Sequence, residues 1–434
     1  MSYLVINGGK PLRGSVTVQA NKNSALSIIA ASLLIRGRTV LRDVPVIDDV
    51  EHLLTLLVSL GVKVKRQGRR VVIDAKGPLK LSALSKPAAG ATRAALLLWG
   101  ALASRARQYR LYRAGGCHLG ERTVRPHLYA LAKLGLQIAA QGNYYTVRAP
   151  ARLRGASVVM YESGDTATEN VILAAVLARG TTIVKFASAN YMVQDLCYFL
   201  QAAGAQIEGI GTTTLTIRGV SALRPVQNYP IMPDPIVAMT LLSAGIATGS
   251  RLTVRNCPLE FLELELEKLA VMGQRFTVSH GRPSGNGQFM IGDITIFPGR
   301  LRALPDKIYG RPFPGLNIDN LVLFIPILAR AAGRTLVHDW AYENRALYSL
   351  ELQKLGVQVT LLDPHRLFVE GPTKFEPNEI ICPPALRPAV NILIGMLAAP
   401  GRSILRNHSI IDRGYENLYA LLNSLGADVT IVRS

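Results

Sequence analysis

Apolar residues along the chain recur in a fixed order. An Ala- and Leu-rich helical run ends in glycine and a short alternating run follows; then come a second helical run, a second glycine and another alternating run. The second glycine appears six times, as Gly61, Gly135, Gly204, Gly273, Gly356 and Gly426, at intervals of 74, 69, 69, 83 and 70 residues. Glycine just past a helix is a left-handed stop, and alternation after it is the period of a strand. The first glycine is Gly37, Gly180, Gly249, Gly333 or Gly401, and the second copy has Ala103-Ser104-Arg105 instead. From there to the next repeat glycine takes 24, 24, 24, 23 and 25 residues in the regular copies. Each copy therefore predicts strand, helix, strand, second helix and a strand or hairpin. Six such units predict two α/β domains of three units each. Runs such as 24–34 and 169–177 are apolar nearly all round, which places those helices inside, covered by sheets.

Two copies break the period. The second has about seven extra residues around Ala114-Gly115-Gly116-Cys117-His118-Leu119-Gly120-Glu121-Arg122, and the fifth about 14 more, in a stretch containing Arg311 to Asp319. Loops added to a regular scaffold are where function concentrates.

The 434 residues are 49% hydrophobic and 18% charged, enough apolar material for large cores and too much for disorder. No apolar tract, including 321–329, approaches the roughly 20 residues that span a bilayer, so no membrane association is expected. Residues 1–7 lack a basic stretch followed by an apolar core, so no signal peptide is expected. Four scattered cysteines without a CxxC pair argue against structural zinc or a disulfide framework and favour a reducing, cytoplasmic location. The net charge of +20 suits anionic partners without choosing among them. The densest basic and aromatic tract, 105–113, alternates as a strand with a solvated basic face does, and a nucleic-acid partner is not expected despite the charge.

Polar or charged residues stand where each first helix begins: Lys22, Arg93, Asp165 with Thr168, Asp234, Asp319 and Arg387. If three units pack about a pseudo-threefold axis, these starts converge. Cations there oppose the helix dipole, at a cost of a few tenths to about 1 kcal/mol each, and such local violations tend to mark function. Cys117 sits between glycines with Arg113 and Arg122 nearby. Cations and exposure make a thiol reactive, whereas a lone cysteine is ordinarily a small buried hydrophobe; the residues alone leave both readings open. His118 has no second ligand at metal spacing, and there is no Walker loop, Rossmann glycine motif or GxSxG.

Lys22-Asn23, Arg93, the Gly-Gly-Cys-x-Leu-Gly-x-Arg loop, Thr168-Glu169-Asn170, Pro233-Asp234, Glu343-Asn344-Arg345 and Asp412-Arg413-Gly414-Tyr415-Glu416 occur in one order over nearly the whole chain. In this the sequence resembles the UDP-N-acetylglucosamine enolpyruvyl transferases. The resemblance implies two inside-out α/β barrel domains, each of three repeated units with pseudo-threefold symmetry. Residues 22–230 would form one, carrying the Cys117 loop. Residues 1–21 and 231–434 would form the other, carrying Asp319. It implies transfer of the enolpyruvyl group of phosphoenolpyruvate to the 3-hydroxyl of UDP-N-acetylglucosamine, with release of phosphate, the first committed step of peptidoglycan synthesis. Lys22, Arg93, Arg122, Arg387 and Arg413 would hold phosphoenolpyruvate. Cys117 would protonate C3 and be the target of fosfomycin. Asp319 would take the acceptor's proton, and Asn23, Asp165, Thr166, Asp319 and Arg345 would face the acceptor. Neither metal nor cofactor is implied, and a monomer or weak homo-oligomer is expected.

The resemblance has gaps on the acceptor side. Asp-Leu-Arg-Ala of the family reads Ala385-Leu386-Arg387-Pro388 here, and Arg-Pro-Val-Asp reads Arg122-Thr123-Val124-Arg125. Gly164-Asp165-Thr166 replaces a Ser-Val-Gly stretch facing diphosphate, and Ser188-Ala189-Asn190-Tyr191-Met192 replaces an Arg-x-Pro-Glu-Ile acceptor segment. Two alternatives follow: the same chemistry on another acceptor such as UMP, as in nucleoside-antibiotic pathways, or a non-catalytic basic relative that binds nucleic acid or regulates.

Overall fold

All six repeat glycines adopt positive φ, between 83° and 96°, so each second helical run is stopped where the sequence pattern puts its end. Gly37 differs from the other first glycines in not being left-handed. The computed structural model describes residues 2–115 and 123–433. They form two units, residues 2–19 with 233–433, and residues 20–115 with 123–232. Each unit holds three sheets and three strongly buried helical segments.

The third repeat shows the plan. Strand Ser157–Val159 leads into helix Asp165–Ala175, which returns to the parallel strand Thr181–Lys185. Helix Tyr191–Ala202 follows, and then strands Gln206–Glu208 and Thr214–Arg218 close the sheet antiparallel. Alternation decides the faces: Val158, Val184, Leu215 and Ile217 are buried while Val159 and Ile183 point outward. Three other repeats borrow strands from distant sequence. Ser2–Gly8 lies antiparallel between Gly401–Arg406 and Val429–Arg433. Arg13–Thr17 runs parallel to Arg251–Pro258, and Tyr229–Pro230 runs parallel to Arg38–Arg42.

The basic tract is the strand Gln108–Tyr112, with Tyr109 and Leu111 buried and Gln108 and Arg110 exposed. The second helical run of the fifth repeat, Ala346–Leu355, is a 3₁₀ helix. Its buried residues, Ala346, Ser349, Leu352 and Leu355, recur every third position, which matches three residues per turn and not 3.6. Among the described residues no helix is long and apolar enough to cross a membrane.

The inner helices are Lys22–Ala31, the run Arg93–Leu102 (3₁₀ to Leu97, then α) and Asp165–Ala175 in one unit. In the other they are Pro235–Ala247, the mixed run 318–328 and Leu386–Ala398. All thirteen residues of Pro235–Ala247 are buried, as expected of a helix apolar on every side. A few polar side chains tie the helices together in step. Asn170 donates to Leu96 O at 3.0 Å and accepts from Gly100 N at 2.8 Å, and Ser27 bonds Glu169. In the other unit Ser243 donates to Leu323 O at 2.7 Å and Asn391 to Val322 O at 2.6 Å. Each of these residues lies one to three turns into its helix, so within each unit the helix starts stand at one end. That end carries the candidate chemistry.

Candidate active site

In the unit of residues 20–115 and 123–232, Asn21 caps the first inner helix by accepting from Ser24 N at 2.7 Å. Lys22 and Asn23, both partly buried, follow at once. Lys22 Nζ lies 2.9 Å from Asp49 Oδ2. Asp49 is buried in the first turn of the second helix, Asp48–Ser59. The pair removes much of the conflict between the Lys22 charge and the helix dipole. Thr92 caps the next run, and Arg93 donates to Thr123 O at 3.4 Å. His127 is buried near Arg93, and burial first, the Arg93 charge second, lower its pKa to about 3. The ring is thus neutral and can accept the 3.0 Å hydrogen bond from Asn170 Nδ2.

The third helix start is acidic. Asp165 accepts from Ser188 Oγ at 2.5 Å and from Asn190 Nδ2 at 3.4 Å. Thr166, partly buried, is next. One turn on, Glu169 is buried, and its pKa is raised mainly by burial and then by the Asp165 charge. So this end of the unit has a cationic side, Lys22 and Arg93, and a carboxylate held by neutral donors.

The other unit concentrates charge on Asp319. Asn317 caps its helix by accepting Asp319 N at 2.8 Å, and buried Glu265 accepts Asn317 N and Asn320 Nδ2 at 3.2 and 2.8 Å. One Asp319 oxygen accepts from Arg345 Nη1 and the other from Arg387 Nε, each at 3.3 Å. The Asp319 side chain keeps 27% exposure. Arg387 stacks 5.1 Å over the Tyr415 ring, which ties the Asp412–Glu416 segment with its half-buried Arg413 to the same end. Ala385 precedes this helix with no side-chain cap.

The structure thus groups Lys22, Asn23, Arg93, Asp165 and Thr166 in one unit and Asp319, Arg345, Arg387 and Arg413 in the other. Cys117 and Arg122 lie outside the described residues. The remaining cysteines, Cys197, Cys257 and Cys382, are buried; burial raises all three thiol pKa values, that of Cys382 to about 12. Sequence reasoning missed Asp49, Asp339 and Glu265. Asp49 sits in a pair of acids opening a helix, which reads as ordinary dipole complement, and nothing in the sequence couples it to Lys22.

Known proteins match the chain from end to end. The EPSP synthase (3-phosphoshikimate 1-carboxyvinyltransferase) family model matches residues 6–422. The UDP-N-acetylglucosamine 1-carboxyvinyltransferase of Anaeromyxobacter sp. is 35% identical over 436 residues, covering all of both chains. The UDP-N-acetylglucosamine 1-carboxyvinyltransferase 2 of Caldanaerobacter subterraneus subsp. tengcongensis is 34% identical, covering 99% of each. Among solved structures, the enolpyruvyl transferase NikO from Streptomyces tendae superposes with a TM-score of 0.87 at 24% identity, covering 100% of this chain and 99% of that one. EPSP synthase from Acinetobacter baumannii gives 0.78 at 19%, covering all of both. These two likenesses establish the fold, two pseudo-symmetric α/β domains. With one family model spanning nearly the whole length and relatives above 30% identity over all of it, the chain belongs to the enolpyruvyl (1-carboxyvinyl) transferase family, that of the UDP-N-acetylglucosamine 1-carboxyvinyltransferases.

Proposed function

We propose that this enzyme transfers the enolpyruvyl group of phosphoenolpyruvate to a hydroxyl of a uridine nucleotide, UDP-N-acetylglucosamine being the acceptor its relatives are named for. The observation that carries the reading is Asp319. Its carboxylate is fixed between two guanidinium groups and still partly exposed, as a group that takes a proton from an incoming hydroxyl must be.

In this mechanism the acceptor oxygen bonds to C2 of phosphoenolpyruvate as its proton passes to Asp319. Cys117 delivers a proton to C3. Loss of a C3 proton then re-forms the double bond while the C2–O bond to phosphate breaks and phosphate leaves. Lys22, Arg93, Arg122, Arg387 and Arg413 hold the donor's carboxylate and phosphate. Guanidinium forks suit both groups, and fixed cations act most strongly where water is excluded. Asn23 and Thr166 serve the acceptor.

A second acceptor, UMP, is favoured by one feature. Asp165 stands at the same helix-start end as Lys22 and Arg93, held by Ser188 and Asn190. A carboxylate there disfavours a diphosphate and suits a hydroxyl donor. Phosphate release from phosphoenolpyruvate, measured with UDP-N-acetylglucosamine, UMP and uridine in turn, tests the reading. Release that needs an acceptor supports it, and no release with any of them rejects it.

A further inference from the structure

Arg345 is completely buried, and its contacts lie within its own unit. Nε bonds Asp339 Oδ2, and Nη2 reaches Asp339 Oδ1 at 2.9 Å and Ile318 O at 2.7 Å. Nη1 reaches Asp319 Oδ1 at 3.3 Å. These bonds occupy four of the five N–H donors of a guanidinium, so little of Arg345 is left for a substrate. Its side also stacks on Tyr342, 4.3 Å from the ring centre.

Asp339 is itself 2% exposed and pinned. It follows strand Gly333–His338; its N–H donates to His365 O at 2.7 Å, and His365 Nδ1 lies 2.9 Å from its carbonyl. The Asp339–Arg345 fork closes the turn between that strand and the 3₁₀ helix Ala346–Leu355. Burial alone lowers the Arg345 pKa; the Asp339 charge first, then Asp319, more than reverse this and keep the guanidinium charged. A bidentate fork removes the rotational freedom that a single ion pair leaves.

Resting on the reading that Asp319 accepts the hydroxyl proton, we propose that Asp339 is a positioning residue, acting through Arg345 to fix the Asp319 carboxylate for transfer. Arg345 is then a strut and not an acceptor ligand. Without the Asp339 fork, the guanidinium can swing onto Asp319 alone or away from it, and the carboxylate loses its fixed bearing on the hydroxyl. Misplacing a reacting group by about 1 Å costs on the order of 100-fold in rate.

The test compares Asp339→Asn in the wild-type and Asp319→Ala backgrounds, with phosphate release as readout and thermal melts as a check on folding. In the wild-type background kcat should fall about 10- to 100-fold, with the KM for phosphoenolpyruvate changed less than about threefold, because the donor cations are untouched. In the Asp319→Ala background the same substitution should alter the residual rate by less than about twofold, since a residue that acts through Asp319 has nothing left to position. Equal losses in both backgrounds, or no loss in the first, would overturn the proposal. Should Asp339→Asn melt below the assay temperature, Asp339→Glu carries the test. It keeps the charge and displaces it by one methylene, and the same split and the same silence are expected. Wild type inactive with every acceptor would reject the transferase reading itself, whereas an active wild type with equal losses rejects only the role of Asp339.

Discussion

Lys22 Nζ and Asp49 Oδ2 stand 2.9 Å apart, with their side chains only 17% and 7% exposed. A lysine that opens a helix is locally unfavourable, and this carboxylate offsets the cost while fixing where the ammonium points. The pair gives a test in which stability and catalysis separate. Lys22→Ala should lower the rate of phosphate release about 100-fold or more, the usual loss on removing one charged transition-state donor. It also takes away the cation 2.9 Å from the buried Asp49 carboxylate, which lowers stability. Adding Asp49→Asn should restore much of the melting temperature and none of the rate. Recovery of both together would mean that Lys22 is only structural.

A pH effect follows from Asp195, which is wholly buried on the helix Tyr191–Ala202. Burial raises its pKa to about 7, against hydrogen bonds from Tyr229, Met232 N and Ser24 that pull the other way. The folded protein therefore holds a proton that the unfolded chain releases near pH 4. Its stabilising contribution is full below that pH and is lost as pH rises toward 7, with a slope of at most about 1.4 kcal/mol per pH unit. Melts between pH 4.5 and 8 (about the interval where this group titrates) should show a falling contribution in wild type that is absent in Asp195→Asn. Parallel curves would contradict the assignment.

The three buried cysteines bear on a thiol test. With Cys197, Cys257 and Cys382 buried and their pKa values raised, an epoxide phosphonate such as fosfomycin should add to Cys117 alone. Peptide mass spectrometry after treatment, in the presence of acceptor, checks this. Adducts spread over all four cysteines, or none at Cys117, would remove its proposed role as the acid.

Asp165 sets an expectation for the acceptor. A carboxylate about 4 Å from a phosphate costs roughly 1 kcal/mol in water and several times more in a dry cleft. Asp165→Val should then tighten UDP-N-acetylglucosamine binding by about fivefold or more in calorimetric titration with phosphoenolpyruvate present. Tight wild-type binding left unchanged by the substitution would show that Asp165 does not meet the phosphates.

Much of this architecture was legible because each repeat writes the same signals. An apolar run, a glycine and a period-two run mark the same elements in distant copies, and the glycines Gly61 to Gly426 are left-handed in the structure. Two things were not legible. The Ala346–Leu355 run reads as helical, but its three-residue burial period emerges only once the neighbouring sheet is in place. Partners far apart in the sequence were also hidden. Asp319 and Arg387 are 68 residues apart and Lys22 and Asp49 are 27 apart; pairing at those separations is fixed by helix packing, which no local pattern encodes. The strands Ser2–Gly8 and Arg13–Thr17 illustrate the same limit, since their partners lie hundreds of residues away.

The most direct test of enolpyruvyl transfer is the structure of the product. Proton and phosphorus NMR of phosphoenolpyruvate with UDP-N-acetylglucosamine, and separately with UMP, should show one equivalent of inorganic phosphate for each new pair of vinyl protons. Those protons should couple to no phosphorus and belong to an enol ether on an acceptor hydroxyl. Phosphate appearing with free pyruvate, or neither acceptor changing while phosphoenolpyruvate stays intact, would contradict the account.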